Sequence, residues 1–487
     1  MNYDITIEKL LTKLKEYNDS NLSMVIKAYN YAEEFHRGQF RESGEPYITH
    51  PLNVAYILAS MHLDIDTICA GLLHDVVEDT PCTLEDIERE FNETVKILVD
   101  GVTKISNISF STPKEKNIAN NKKIISSVMI DVRIVIIKIA DRLHNMRTIE
   151  AKKEEKRIKK AYETMDIFVP LAYSLGQYEL KNELEDLCFK YLKPEEYKRT
   201  LELYQMIDVE SRDSLNTMLW TIKDLLSKEG IDNTIKTRIK HIYGIYKMKA
   251  SGLKVSEIHD LLNLKVLLNN VDECYLTLGR VHKVYHPLND KFKDFICNPK
   301  TNYYQSLHTT VFAPDDRLVQ VQIRTKDMES IACFGLPALW ALDKDNTRES
   351  MQEKFKSKYQ FYNDLKEING YYFDNEEFVN EVKKELFADK IYVYTTDGKV
   401  LELPKGATVI DFAYKIGNYY GDKIAGALVN DQIADINTEL KNNDRVMILT
   451  NDKVLPSIDE KKNSVTVKAR RRKKDIDTAL KAIKDTK

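Results

Sequence analysis

The amino-acid sequence predicts a multidomain chain: an all-α block, then an α+β block, then a small β-grasp module. Three observations carry this reading. Apolar residues recur at helical intervals through about residue 190. Beyond Ile231, short β-like stretches at Ile258–Leu268 and Arg317–Ile323 alternate with helical and loop segments. From Lys390 to Leu403 (KIYVYTTDGKVLEL), two β-type runs flank Asp397-Gly398, a strong hairpin signal. The predicted divisions are 1–190 (helical), 191–230 (helical linker), 231–345 (α+β), 346–384 (helical linker), 385–451 (β-grasp) and 452–487 (basic tail).

Composition sets the outer bounds. With 487 residues, 43% of them hydrophobic, the chain can bury more than one core. A formal net charge of −3 does not mark a nucleic-acid binder. The six cysteines form no Cys-x-x-Cys pair, so neither a disulfide framework nor a thiolate zinc cluster is expected, which fits a reducing cytoplasm. The start, MNYD, lacks a signal-peptide pattern. The most apolar run, Ile134–Ala140, contains Lys138 and is too short to span a bilayer.

Within the helical block, Leu22–Phe35 carries apolar residues at helical spacing, and Thr83-Leu-Glu-Asp-Ile reads as a capped helix start. Arg37–Pro46 is a polar, glycine-punctuated loop whose Arg41 is a candidate for gripping an anion or stacking on a base. His50-Pro51 falls at a predicted helix start, where proline is tolerated. Gly71–Asp79 (GLLHDVVED), read as one helix, places His74 and Glu78 on one face with Asp75 and Asp79 one step round. Such a cluster beside a core is costly unless a cation compensates it. Thr112–Asn117 reads as a loop, and Lys152–Lys160 as a solvated helix face. The apolar run Val132–Ala140 leads into Asp141, Asn145 and Thr148, which share a helical face. His50, His74, Asp75 and Asp141 thus form a two-imidazole, two-carboxylate set, suited to a borderline metal such as manganese. His62 and His144 read equally well as packed or surface residues and are not assigned as ligands.

Glu179–Lys198 continues helically, and a linker helix is expected from about Ser211 to Lys228. In the α+β block, Thr237–Tyr243, Lys291–Asp294 and Asn302–Thr309 are dense in groups that suit phosphates and purines. In the last block, Thr408–Lys415 reads as a helix, while Ala427–Asn430 and Arg445–Leu449 read as strands. The run Lys468–Lys474 (KARRRKK) is cationic and reads either as an RNA contact or as a frayed tail.

Taken together, these motifs resemble the long RelA/SpoT homologue family, enzymes that make and break the alarmone guanosine tetra- and pentaphosphate. The resemblance covers most of residues 20–450, in family order: an HD-type hydrolase domain, a nucleotidyltransferase-like synthetase domain, and a TGS domain. It implies metal ligands at His50, His74, Asp75 and Asp141, with manganese as the ion. It implies that Glu78 and Asp79 handle the attacking water and that Arg41, Asn145 and Thr148 contact substrate. In the synthetase-like block it implies a magnesium-binding Asp260 and nucleotide-handling roles for Arg238, Lys240, Lys293, Asn302, Tyr304, Gln305 and His308, with Tyr304 as the guanine-stacking ring.

The departures are equally specific. Glu42 stands where the family usually has lysine. Gln320 replaces the glutamate expected to bind metal and promote attack; an amide neither takes a proton at neutral pH nor supplies that charge. Met-His is Met328-Glu329, Ala-Glu is Ala332-Cys333, and Ala-Ala-His-Trp is Pro337-Ala338-Leu339-Trp340. Tyr-Ser-Ile is Tyr243-Gly244-Ile245, Met248 replaces a customary lysine, and Gly-Tyr-Gln is Tyr303-Tyr304-Gln305. In the TGS block, Ile-His-Thr is Ile416-Gly417-Asn418, and the chain ends before the family's later domains, an expectation against ribosome-coupled sensing. The function implied is manganese-dependent 3′-pyrophosphohydrolysis of the alarmone with synthesis weak or lost. The alternatives are a bifunctional synthetase/hydrolase and a non-enzymatic nucleotide-binding regulator. Guanine nucleotides are the expected partners, a ribosome or RNA surface is a weaker one, and no membrane is expected.

Overall fold

The computed structural model describes residues 5–18, 20–103, 112–300, 302–341, 350, 352–353, 355–356, 359–371, 374–452, 464–466 and 469. They divide into two compact units: 1–111 with 123–358, and 112–122 with 359–487.

In the first unit, the helices Thr49–Ser60, Ile65–Leu73 and Val132–Arg147 pack together. Val54, Leu58, Ile68, Leu72, Val135, Ile136 and Ile139 are fully buried between them. Two of these helices start on aspartate caps, which satisfy amides that no intrahelical carbonyl can reach. Asp64 accepts from Thr67 N at 3.0 Å, and Asp131 accepts from Arg133 N at 3.0 Å. The buried Arg133 guanidinium then bridges both caps, 3.1 Å from Asp64 and 2.8 Å from Asp131. One arginine therefore aligns the starts of the two helices that lead to His74 and Asp141. Gln352 Nε2 adds a bond to Asp131 at 2.8 Å.

Three helical readings are corrected. Gly71–Asp79 is not one helix: Ile65–Leu73 ends, His74 and Asp75 form a turn, and Val76–Asp79 resumes. The break lets two adjacent side chains face one site, which an unbroken helix would splay by about 100°. Thr112–Asn117 is not a loop, because Pro113 opens the helix Pro113–Ile130 and Thr112 Oγ1 accepts from Glu115 N. The helix expected from Ser211 begins at Pro194 and runs to Lys228. Its Leu215, Met218, Ile222 and Leu226 bury into the core of the sheet that follows, so it is more than a connector. The predicted helices Leu22–Phe35 and the capped start at Thr83 are present, the latter with a full capping box.

The sheet has strands β1 (Thr234–Ile239), β2 (Leu262–Leu268), β3 (Lys293–Asp294), β4 (Leu307–Phe312) and β5 (Leu318–Thr325), in spatial order β1-β2-β5-β4-β3. Only β2 and β5 are parallel. β2 is buried along its whole length, as a central strand should be. Asp260 lies just before it.

The helical and sheet portions of this unit meet at glycines. Gly335 has φ +66°, and a Cβ there would lie 2.0 Å from the Leu175 carbonyl oxygen and against Gly176, itself at φ +77°. Leu336 N donates to that same carbonyl at 3.2 Å.

In the second unit, β6 (Lys390–Thr395), β7 (Val400–Pro404), β8 (Ile424–Val429), β9 (Gln432–Ala434) and β10 (Arg445–Thr450) are ordered β7-β6-β10-β8-β9, with β6 and β10 parallel at the centre. The helix Val409–Ile416 covers this sheet with Ile410, Phe412 and Ala413 buried, as a β-grasp requires. The hairpin turn has Gly398 at φ +83°. One boundary is corrected: residues 464–466 are not tail. Val465 N and Thr466 N donate to the buried Asp411 carboxylate at 3.1 and 2.8 Å, completing the cap that Thr408 begins. Apart from Ala469, the cationic run 468–474 lies outside the described residues. Among the described residues, no helix is long and apolar enough to cross a membrane.

Gly335→Ala combines a left-handed backbone with a steric overlap at Leu175. It should lower unfolding free energy by on the order of 3 kcal/mol, measured by denaturant titration. Gly398→Ala, where nothing lies within 4 Å of the added carbon, should lose much less.

Candidate functional site

His50, His74 and Asp141 bring their ligand atoms within 4.8 Å of one another. The fourth predicted member is also there: Asp75 Oδ2 lies 3.2 Å from His74 Nε2 and 3.6 Å from His50 Nε2. Asp141 Oδ1 is 3.2 Å from His50 Nε2 and 3.8 Å from His74 Nε2. Both imidazoles are almost wholly buried.

The hydrogen bonds behind the rings decide which nitrogen faces this point. His74 Nδ1 is 2.9 Å from the Gly71 carbonyl, which can only accept, so Nδ1 carries the proton and Nε2 presents a lone pair. His74 Nε2 is buried and has no hydrogen-bond partner among the described residues. His50 Nδ1 is 2.8 Å from His144 Nδ1, which Arg41 Nη1 also approaches at 3.3 Å. Arginine can only donate, so His144 Nδ1 accepts and His50 Nδ1 is the donor, again leaving Nε2 with its lone pair. Burial, with the Arg41 charge beside it, pulls the His144 pKa down to about 2 and keeps it an acceptor. His144 was not assigned a role from the sequence; its i, i+3 relation to Asp141 was the available signal.

The carboxylates complete the donor set. Burial opposes ionisation of Asp141, but Lys138, 3.5 Å away, and the imidazoles hold its pKa well below the usual range. Burial likewise opposes ionisation of Asp75, and His74 outweighs it. Two ring lone pairs and two ionised carboxylates converge on one point, which fits a divalent cation.

Around this point stand the other predicted residues. Asp79 is exposed, and its carboxylate lies 2.9 Å from Tyr47 Oη, which is also 2.9 Å from Asp75 Oδ2. Glu78 is half-buried on the same turn. Tyr47, unassigned from the sequence, therefore links a ligand carboxylate to a solvent-facing one. Arg41 Nη2 donates to Asn145 Oδ1 at 3.0 Å and approaches Thr148 Oγ1 at 3.4 Å, so the three predicted substrate contacts form one cluster. Asn145 in turn donates to Asp141 at 2.5 Å. Glu42 turns instead to Lys152, 3.1 Å away.

A second site is a cleft of about 370 Å³ on the sheet. Seven predicted residues line it: Arg238, Lys240, Asp260, Lys293, Tyr304, His308 and Gln320. Asn302 and Gln305 do not. Asn302 is buried and donates to Tyr178 Oη at 2.9 Å, while Gln305 donates to the Ile296 carbonyl at 3.2 Å. Lys240 is 2.5 Å from Asp260 Oδ2, and Gln320 Oε1 accepts from Gln322 Nε2 at 2.8 Å. Several departures have local consequences. Tyr303 holds φ +64°, a left-handed conformation that glycine adopts freely. A Cβ at Gly244 would come within 2.7 Å of the His241 ring. Met248 packs against the apolar core.

Comparison with known proteins finds relatives for each part of the chain. Family models match at three places: the HD domain at residues 28–178, the region found in RelA/SpoT proteins at 237–347, and the TGS domain at 391–450. The chain is 40% identical over 463 residues to a GTP pyrophosphokinase of Myxococcus xanthus, covering 94% of this chain and 61% of that protein. It is 40% identical over 460 residues to a guanosine-3′,5′-bis(diphosphate) 3′-pyrophosphohydrolase of Aquifex aeolicus (strain VF5), covering 93% and 64%. It is 40% identical over 434 residues to the bifunctional (p)ppGpp synthase/hydrolase SpoT of Escherichia coli (strain K12), covering 89% and 61%. The chain thus spans 61 to 64% of the length of these curated relatives.

Binding of a cation at the first site should be visible as stability. A divalent cation at a hundred times its Kd should add about 2.7 kcal/mol to unfolding, followed by calorimetry with and without chelator. Asp141→Asn, which removes an anionic ligand, should lose most of that increment.

Proposed function

The chain belongs to the RelA/SpoT family, and on that premise we propose that it is a manganese-dependent 3′-pyrophosphohydrolase of guanosine tetra- and pentaphosphate. The products are GDP or GTP and pyrophosphate. The observation that carries the reading is the convergence of His50, His74, Asp75 and Asp141 beside the Arg41–Asn145–Thr148 cluster.

In the reaction, water adds to the phosphorus attached to the ribose 3′ oxygen. The bond to that oxygen breaks, the oxygen leaves with a proton, and pyrophosphate carries the new oxygen. His50, His74, Asp75 and Asp141 would hold the ion. A divalent ion there supplies Lewis acidity, acidifying water and offsetting phosphate charge. Glu78 and Asp79 orient the water and take its proton, and Tyr47 fixes the Asp79 carboxylate for that role. Arg41 helps to position the base, and Asn145 and Thr148 hold the ribose-phosphate portion.

Pyrophosphoryl transfer in the sheet cleft is weak or absent in this proposal. Gln320 cannot accept a proton, and its carbonyl oxygen already accepts from Gln322. The bifunctional reading is the second one, favoured by Asp260 Oδ1: it is buried with no hydrogen-bond partner among the described residues, and so is available to magnesium. A nucleotide-binding regulator is the non-enzymatic remainder. The basic segment and the TGS module give a ribosome or RNA partner little support, since Gly417 offers no side chain at the end of its helix.

Purified protein should convert labelled tetraphosphate to GDP and pyrophosphate with manganese, and Asp75→Asn should be nearly inactive. Asp79→Asn should lose about two to four decades of rate. Full activity after chelation would sink the hydrolase mechanism. In an Asp75→Asn background, ATP plus GDP should give little or no tetraphosphate, and Gln320→Glu should restore synthesis only in part. Robust synthesis that disappears with Asp260→Ala would favour the bifunctional reading.

A further inference from the structure

The sheet cleft is electrostatically divided. On the edge strands, Arg238 of β1 and Lys293 of β3, with Lys291 just before it, have no carboxylate within ion-pairing distance among the described residues. Between them, the adjacent central strands β2 and β5 present Lys265 and Arg324. There Glu329, from the first turn of the helix Lys326–Phe334, reaches between the two cations. Its Oε1 lies 2.9 Å from Lys265 Nζ and its Oε2 2.5 Å from Arg324 Nη2. All three residues are nearly closed to water, with exposures of 7% for Lys265, 2% for Arg324 and 9% for Glu329.

We propose that Lys265 and Arg324 form a phosphate subsite of this cleft and that Glu329 is its built-in counter-ion, which a nucleotide's phosphate chain must displace. This rests on reading the cleft as a nucleotide site.

Two observations point to a ligand and not to a finished structural ion pair. Arg324 is buried, yet its Nε and Nη1 have no hydrogen-bond partner among the described residues. A guanidinium offers five donors, and here those on Nε and Nη1, either side of the Nη2 that Glu329 holds, stay unused inside a polar cleft. A buried donor left unsatisfied is costly, so an oxyanion that supplies its partner gains more than one meeting a solvated cation. The second observation is contrast: the edge-strand cations stay open to phosphate, while the two central ones are held by the chain's own carboxylate. A short phosphate chain held at an edge-strand cation leaves Glu329 in place. A longer chain reaches Lys265 and Arg324 only by competing with Glu329. The residue is therefore a discriminator of phosphate number. Its position also explains why a carboxylate at 329 is not a substitute for the one missing at 320: two cations hold it, and it is a poor proton acceptor.

Calorimetric titration of the full chain with GMP, GDP and GTP tests this, using wild type, Glu329→Gln, Glu329→His and Arg238→Ala, with each fold checked by circular dichroism. Both Glu329 variants should tighten GTP binding roughly tenfold, GDP less, and GMP hardly at all, because only the longer chains reach the subsite. Either variant alone suffices if the other does not fold. If nucleotides bind the wild type and depend on Arg238, but the Glu329 variants leave GTP affinity unchanged or weaken all three equally, the counter-ion proposal is overturned and the nucleotide cleft stands. If no nucleotide binds any variant, the reading of the cleft itself fails, and the proposal with it.

Discussion

The structure is organised around a charge problem in the helical block. Asp75 and Asp141 are ionised carboxylates held in a largely buried place, facing the Nε2 atoms of two imidazoles. Such an arrangement is unfavourable for a protein by itself and favourable around a cation. Several features of the block serve that point. The turn at His74–Asp75 turns neighbouring side chains inward together. The Gly71 carbonyl and the His144–Arg41 pair choose the ring tautomers, as groups behind metal-bound histidines commonly do. Arg133 fixes the starts of the two helices concerned, some way from the site but in the same packed core.

The two sites differ in how their charges are used. In the helical site the carboxylates remain available and the cations are peripheral: Lys138 flanks Asp141, and Arg41 is held by neutral acceptors. In the sheet cleft, two carboxylates are each held by the chain's own cations. Lys240 meets Asp260, and Lys265 and Arg324 meet Glu329. The first arrangement is ready for chemistry on a phosphoester, and the second is nearer to electrostatic closure. The left-handed backbone at Tyr303 adjoins Tyr304, which lines that cleft, and a conformation costing of order 1 kcal/mol or more persists only where surrounding structure compensates it.

Much of this was legible in the sequence because it is local. Helical periodicity located Leu22–Phe35, a capping pattern located the start at Thr83, and Asp397-Gly398 located the hairpin. The convergence of His74, Asp75 and Asp141 had a signal in the sequence because these ionisable groups directly follow apolar runs, and His50 had one as a helix-start residue. What escaped was either a competition between local signals or a long-range pairing. Proline at 113 reads as a loop mark and as a first-turn residue, and only the cap at Thr112 decides between them. The turn at His74–Asp75 has no breaker residue to announce it. The roles of His144 and Tyr47 depend on partners 94 and 28 residues away, and the docking of Val465 and Thr466 on Asp411 spans more than fifty residues. No window along the chain contains such pairs.

The glycine contact between Gly176 and Gly335 has a consequence for how such a chain can change over generations. Backbone presses on backbone there with no side chain to trim, and the Leu175 carbonyl accepts from Leu336 N across the seam. Gln352, farther along, donates to the aspartate that starts the helix bearing Asp141. A lineage with no further use for nucleotide chemistry in the sheet could not simply discard that half of the unit, because doing so would strip contacts from the half that carries the metal ligands. Selection for the helical site alone would therefore keep the seam, even where the cleft is free to change.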